Sequence, residues 1–560
     1  MAQTLGLKAY FRLGIQAKMH IHWGVSAWVI ALLVLLPILA VFGLALWPQD
    51  ENIWPHLWET VLGHYISTTL MLMLGVGLLS ACIGVSTAWL TSLYEFPGRR
   101  IFEWALLLPF AMPAYVIAYV YTDLLEYAGS VQTYLRTVFA WQSPHDYWFP
   151  PIRSLGGAIA MLTLVLYPYV FMLARAAFLE QSPSLRDASR LLGCSAWGSF
   201  WRISLPIARP AIAVGLALVL METLNDFGTV DYFAVRTLTA GLYDVWLNMG
   251  NLSGAAQIAV VMLVFVLTLM GLENFARRKQ KMFSRQDGFR ASARIPLQGS
   301  KAMWASLLCT LPLTLGFLIP FALLARHAWV YFDVSWTPTF FSHAWNSFYL
   351  SSLAAILALV LGVLLAYGKR LVPHPALQVG VRCAGLGYAM PGAVLAVGVM
   401  IPFSRFDHAL DAWMQASFGI STGLVLSGTL VTLIFAYLVR FLAVAIGSLD
   451  SSLAKVTPSM DMAARSLGCQ PKEVLWRVHL PLIRPGLLTA GLVVFVDCMK
   501  ELPATLILRP FGFDTLATHV YQYASDELLE ESALAALVIV LVGILPVILI
   551  SRAIVGQRRT

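Results

Sequence analysis

The stretch SLGCQPKEVLWRVHLPLIRP, Ser466–Pro485, has a near twin in LLGCSAWGSFWRISLPIARP, Leu191–Pro210. Laid over one another at an offset of 275, Pro183–Ala211 and Pro458–Gly486 align without a gap, and 13 of 29 positions are identical. Repetition at that level organises a fold. The shared positions include Gly193/Gly468, Cys194/Cys469, Trp201/Trp476, Arg202/Arg477, Leu205/Leu480 and Pro206/Pro481. Upstream, AMPAYV at Ala111–Val116 answers AMPGAV at Ala389–Val394; downstream, TLTAGLY from Thr237 echoes TLATHVY from Thr515. Half the chain is therefore duplicated, not one loop.

Almost everything around the twin stretches is apolar. Of 560 residues, 59% are hydrophobic and 12% charged, where soluble domains carry about 25% charge. Twelve runs reach the about 20 residues that a bilayer demands. They lie near 24–47, 66–92, 101–124, 154–178, 209–228, 254–274, 302–325, 346–368, 379–401, 422–447, 485–503 and 531–551. Backbone polar groups in lipid must pair within their own segment, which predicts helices, and the runs lack the alternation of barrel strands. Lys8, Arg12 and Lys18 hold the amino terminus in the cytoplasm. Alternating from there puts 30 of the 37 Lys and Arg on the cytoplasmic face and both termini with them. Six spans precede the basic segment Arg277–Lys301, so both halves enter the membrane from the same side. The expected fold is an all-α integral membrane protein of about twelve helices in two parallel repeats, 1–276 and 302–560, joined by a linker at 277–301. Such repeats place a substrate route at their interface. The net charge of +8 sits mainly in inner loops, where anionic headgroups favour it, and requires no nucleic acid. The six cysteines have no CxxC spacing, so no structural disulfide is expected.

Both twin stretches, about 181–210 and 451–485, fall on the cytoplasmic side between the fourth and fifth spans of their half. SLRDASRLL and DMAARSL read as helical turns that Gly193 and Gly468 stop. Ser195, or Pro471 in a first turn, starts the next helix. That helix presents Trp201 and Arg202, or Trp476 and Arg477, and is expected to break at Pro206 and Pro481 before the chain re-enters the bilayer. An amphipathic loop lying in the headgroups would use similar residues. Two ungapped copies at equivalent places favour a pair of rigid knobs for a pair of sockets.

These loops resemble the coupling loops of importer-type ABC permeases, whose pattern is Glu-Ala-Ala, three residues, Gly, then a helix ending in Leu-Pro. The whole chain is similar to fused two-halved members, and LNDFGTVDYFAVRTLTAGLYDVW (Leu224–Trp246) with KELPATLILRPFGFDTLATHVYQYA (Lys500–Ala524) resembles ferric-iron permeases. The resemblance implies the type I importer permease (MetI-like) fold in a bacterial inner membrane. It also implies two copies of a cytoplasmic ATPase, one per loop, and a periplasmic or extracellular binding protein that delivers iron(III). In this chain the motif stands as Asp187-Ala188-Ser189 and as Met462-Ala463-Ala464, with Asp461 one position early. A carboxylate there that meets a basic residue of the ATPase would make the two docking sites unequal. No cofactor is expected on the chain itself; ATP and Mg belong to the ATPase. In accord, none of the nine lysines precedes Ser or Thr, so no phosphate-binding GxxxxGK[ST] loop exists.

Four acids, two in each half, fall near the fifth spans. At the same offset they pair as Glu222/Asp497 and Asp226/Glu501, each pair spaced to share one helical face. Acids at that depth face a cavity or a partner. They are expected either to line the route as oxygen donors for a hard cation or to form interhelical ion pairs with Lys500 or Arg236. Thiamine, a polyamine and a sulfate-like oxyanion are alternative cargoes. A gradient-driven carrier is the alternative machine, although it leaves the twin loops unexplained. No nucleophile–base or metal constellation points to an enzyme.

Overall fold

The computed structural model describes residues 2–47, 52–181, 189, 191–278, 294–372 and 374–556. The linker positions 279–293 and the residues Asp187 and Ala188 lie outside that set. Within it the regular secondary structure is helical apart from a two-residue parallel pairing of Tyr94–Glu95 with Ile295–Pro296. Eleven described helices are long and apolar enough to cross a membrane, and a bent helix pair makes a possible total of twelve.

The third span of the first half is broken rather than straight. In the first half, Arg99–Ala105 gives way to a 3₁₀ turn at Leu108–Ala111, and Ala114–Leu125 starts afresh; the two arms are bent by 90°. In the second half Pro375–Ala384, a 3₁₀ turn at Leu386–Ala389 and Gly392–Phe418 follow the same plan. The cause is the repeated Ala-Met-Pro. A residue before proline is pushed out of the helical region, and Met112 (φ −86°, ψ 121°) and Met390 (φ −76°, ψ 127°) are both extended. Pro113 and Pro391 then open the following helix without a donor to satisfy.

The chain forms two compact units that differ from the sequence halves. One comprises Met1–Asp50 and His343–Thr515, the other Glu51–Ser342 and Leu516–Thr560. In the first unit the helix Ala2–Leu46 packs on Pro375–Ala384 and Gly392–Phe418. Glycine permits this: a Cβ on Gly398 would lie 2.5 Å from the Pro37 carbonyl oxygen. In the second unit Gly63–Leu93 packs on Leu155–Glu180, and Ile319–Val330 packs on Leu529–Gly556. A Cβ on Gly84 would meet Val170 at 2.8 Å, and one on Gly543 would meet the Ala111 carbonyl oxygen at 2.7 Å. Lipid tails are as apolar as leucine, so helices in a bilayer associate through close approach at small residues rather than through hydrophobic burial. Each unit thus combines the middle helices of one half with end helices of the other.

Candidate functional site

The twin stretches adopt one local design. In the second, Pro458–Ser466 is a helix that ends at Gly468 (φ +85°). The Cys469 amide donates to the Ala464 carbonyl at 3.1 Å and the Gly468 amide donates to that of Arg465 at 3.0 Å, the paired bonds of a glycine-terminated helix. In the first, Gly193 has φ +78° and the Cys194 amide donates to the Ser189 carbonyl at 3.0 Å. A left-handed backbone costs a non-glycine residue about 1–2 kcal/mol, which explains both glycines. The following helices begin as expected: the Gly198 amide donates to Ser195 Oγ at 3.1 Å, and the Gln470 amide to Glu473 Oε2 at 2.8 Å, with Pro471 in the first turn.

Pro206 and Pro481 do not break these helices, contrary to the sequence expectation. Five residues before each membrane helix wind as a π turn, Phe200–Ser204 and Leu475–His479, and the helix runs on. The Leu205 amide donates to the Phe200 carbonyl, and the Leu480 amide to that of Leu475. A proline clashes with the carbonyl four residues back and cannot bond to it; the wider turn accommodates the ring. Ser204 is buried, and its carbonyl is met by Gln181 Nε2 at 2.8 Å.

Each knob leaves large apolar groups outside. Leu192 and Leu467, equivalent positions, are both 84% exposed, and Trp201 and Trp476 are 52% and 70% exposed. Leu191, Trp197 and Met462 are exposed beside them, with Arg202 and Arg477. Ser189 and Ala464 are buried beneath, Ser189 Oγ lying 3.0 Å from Ser199 Oγ, while Ala463 is exposed. Leu205, Pro206 and Leu480 are half-buried and Pro481 is exposed.

The two knobs are braced by different chemistry. Beneath the first, Phe200 stacks near Trp89 (4.8 Å between centroids) and Trp197 (5.4 Å), and Trp89 meets Phe178 at 5.2 Å. Beneath the second, Asp461 is taken up within the chain: Arg370 Nε donates to its Oδ2 at 2.9 Å, and His479 Nε2 lies 2.5 Å from its Oδ1. Arg370 also donates to the carbonyls of Leu453 (2.6 Å) and Val456 (2.8 Å), and Tyr367 Oη donates to that of Pro471 at 2.5 Å. Burial pushes the Asp461 carboxyl up, but the hydrogen bonds from Arg370 and His479 and their charges outweigh it and hold the group below its ordinary value. Arg370, Tyr367 and Trp89 escaped the sequence reading, since a basic or aromatic residue at a span end serves equally as a membrane anchor.

The four acids divide. Asp226 Oδ1 accepts from the amides of Thr229 and Val230, both at 3.1 Å, and Oδ2 from Thr229 Oγ1 at 3.0 Å. Glu501 repeats this at the equivalent place, accepting from the amides of Ala504 and Thr505 at 3.1 Å and from Thr505 Oγ1 at 2.7 Å. Each acid caps a short helix, Gly228–Tyr232 or Pro503–Leu508, that begins just after the fifth span stops. Glu501 also pairs with buried Arg440 at 2.9 Å, and Asp497 with Lys500 at 3.0 Å. Glu222 has its own partner. No group of three or more His, Cys, Asp or Glu among the described residues is disposed to hold a metal ion.

The duplicated helical bundle carries a knob between the fourth and fifth spans of each repeat, and the chain is a membrane transport permease rather than an enzyme. The chain belongs to the family described as binding-protein-dependent transport system inner membrane component, which it matches twice, over residues 80–281 and 358–560. It is therefore the multi-pass inner-membrane permease of an ABC importer. It is 26% identical over 510 residues to the Fe(3+)-transport system permease protein FbpB 2 of Haemophilus influenzae, covering 89% of this chain and 91% of that one. The ferric transport system permease protein FbpB of Actinobacillus pleuropneumoniae is 24% identical over 85% of this chain and 69% of its own. The sulfate transport system permease protein CysT of Escherichia coli is 27% identical, over 44% of this chain and 88% of its own.

Proposed function

We propose that the chain forms the translocation route for iron(III), delivered by a periplasmic or extracellular binding protein. One copy of a cytoplasmic ATPase seats on each knob, both termini lie on that side, and ATP and Mg stay with the ATPase. The observation that carries the docking role is the paired exposure of Leu192/Leu467 and Trp201/Trp476 at equivalent positions. Large apolar groups held out in matching places mark a partner surface. Iron is supported by relatives named for ferric transport that align over most of both chains. Sulfate is the second reading, favoured by permeases named for it that align with about half of this chain. Asp226 and Glu501 stand at the outlet of the fifth span already bonded to backbone amides, so in this reading they shape the route rather than grip the ion; a strong site there would slow release.

Reconstitution in liposomes with the partner ATPase and binding protein tests the proposal. Iron(III) uptake that requires ATP, and no sulfate uptake, is the expected result. ATP-driven sulfate uptake would replace the cargo alone. Uptake by the purified chain on an ion gradient with no ATPase present would overturn the whole reading.

A further inference from the structure

A groove of about 680 Å³ runs between the first helix, Ala2–Leu46, and the helix Gly392–Phe418, a size typical of small-molecule sites at about 300–1,000 Å³. Its walls are apolar along Leu36, Leu39 and Leu44 and at Ile401. Its mouth holds Trp47 and one charge, Arg405. Nothing in the mechanism uses it.

Position in the membrane identifies what fits. Trp23, at the other end of the apolar segment, packs edge-on against Tyr367, the residue bonded to the second knob. Trp47 lies 24 residues further along the chain, about 36 Å at 1.5 Å per residue, so the mouth opens at the face away from the knobs. From Leu36 to Trp47 the groove follows the helix for about 17 Å, close to the about 15 Å of one leaflet's hydrocarbon. Gly392–Phe403 carries no charge, and polar residues begin at Ser404. Arg405 therefore sits at headgroup level with Trp47, where both residue types anchor. It is exposed and, among the described residues, has no ion-pair or hydrogen-bond partner. Gly43 lines the groove, and a Cβ there would meet nothing within 4 Å. Helix packing does not require that glycine; its effect is to leave the slot open.

We propose that this groove is a phospholipid site in the leaflet away from the knobs: one acyl chain fills the slot, and the lipid phosphate accepts hydrogen bonds from the Arg405 guanidinium. The guanidinium's planar fork matches a phosphate, and the slot supplies a leaflet-deep apolar wall. The inference stands apart from the cargo and the ATPase.

Native mass spectrometry of the full-length chain in mild detergent, titrated with dioleoyl phosphatidylglycerol, tests it. The variants are Arg405→Gln, which removes the charge, and Gly43→Leu, which fills the slot at a helical position with free space around it. One lipid should bind the wild type about tenfold more tightly than either variant, the loss expected for a charged hydrogen bond or an occluded slot. Dioleoylglycerol, which lacks the phosphate, should bind as weakly as the lipid does to Arg405→Gln, and inorganic phosphate should not displace the lipid. Equal retention by the wild type and both variants would mean annular lipid only and would overturn the site. Displacement by inorganic phosphate alone would overturn it in favour of a simple anion site.

Discussion

At Asp461 a carboxylate joins the bonds that hold the second knob to the membrane helix above it. Arg370 on the helix Pro338–Leu371 and His479 in the π turn converge on its two oxygens, while the first knob rests on Trp89 and Phe200 instead. Arg370→Gln should leave insertion and ATPase assembly intact, lower uptake severalfold and raise ATP consumed per ion. Trp89→Ala should do the same through the first knob. A double variant that loses no more than either single one would show that the two braces do not act independently. The pH dependence follows from Asp461. Its folded-state value is depressed, so the bond's contribution is complete above the unfolded value, about 3.9, and is lost as pH falls through the lower folded value. Protonation of Asp461 should thus not affect coupling from about pH 5 to 8, and the clamp should fail only in stronger acid, as followed by thermal unfolding in detergent. Arg440 offers the contrast. Replacing it with Leu strands the Glu501 charge in a buried site and should destabilise the fold by about 3–5 kcal/mol; Arg440→Leu with Glu501→Gln should recover much of that.

Among the elements, the helix that leaves each knob is the part most open to a geometric test. Its π turn is followed by a proline, Pro206 or Pro481, that an uninterrupted α-helix would reject. Deleting Ser204 should rewind the turn and rotate Trp197 by about 100° against the membrane segment, uncoupling ATP hydrolysis from uptake with no change in charge. Gly193→Val and Gly468→Val should uncouple as well. A Cβ at either position would meet nothing within 4 Å, so the strain comes chiefly from the left-handed backbone and expression should hold. These elements also show where the sequence was legible. The glycine stops, the Ser195 start and the Pro471 first turn were readable because capping is local chemistry. The π turns were not: a Leu-Pro pair reads as a helix end, and only the carbonyl one residue further back reveals the wider winding. The acids were half legible. Their symmetry and depth stood out, but their bonds to amides three and four residues on depended on where the fifth span stops. Asp461 drew attention as a departure from the family pattern, but its partner Arg370 lies 91 residues away and left no mark in composition or spacing.

On the scale of the whole molecule, duplication was plain in the sequence but the interleaving of its products was not. A repeat records common descent, whereas packing in lipid is decided by small residues that meet, such as Gly398 on Pro37 and Gly543 on Ala111. The chain cut at the linker and co-expressed as 1–290 and 291–560 should assemble and remain active, whereas either fragment alone should be cleared by proteases; pull-down of one tagged fragment by the other measures this. The compact units give the reason, since Met1–Asp50 belongs with His343–Thr515, and Leu516–Thr560 with Glu51–Ser342. That lacing has a consequence for synthesis. Helices made first, at the amino terminus, must wait in the bilayer for neighbours that the ribosome has not yet translated, and the last helix completes a bundle begun some hundreds of codons earlier. One continuous message guarantees that every early helix finds its mate in equal number, which two separate genes would have to secure by matched expression.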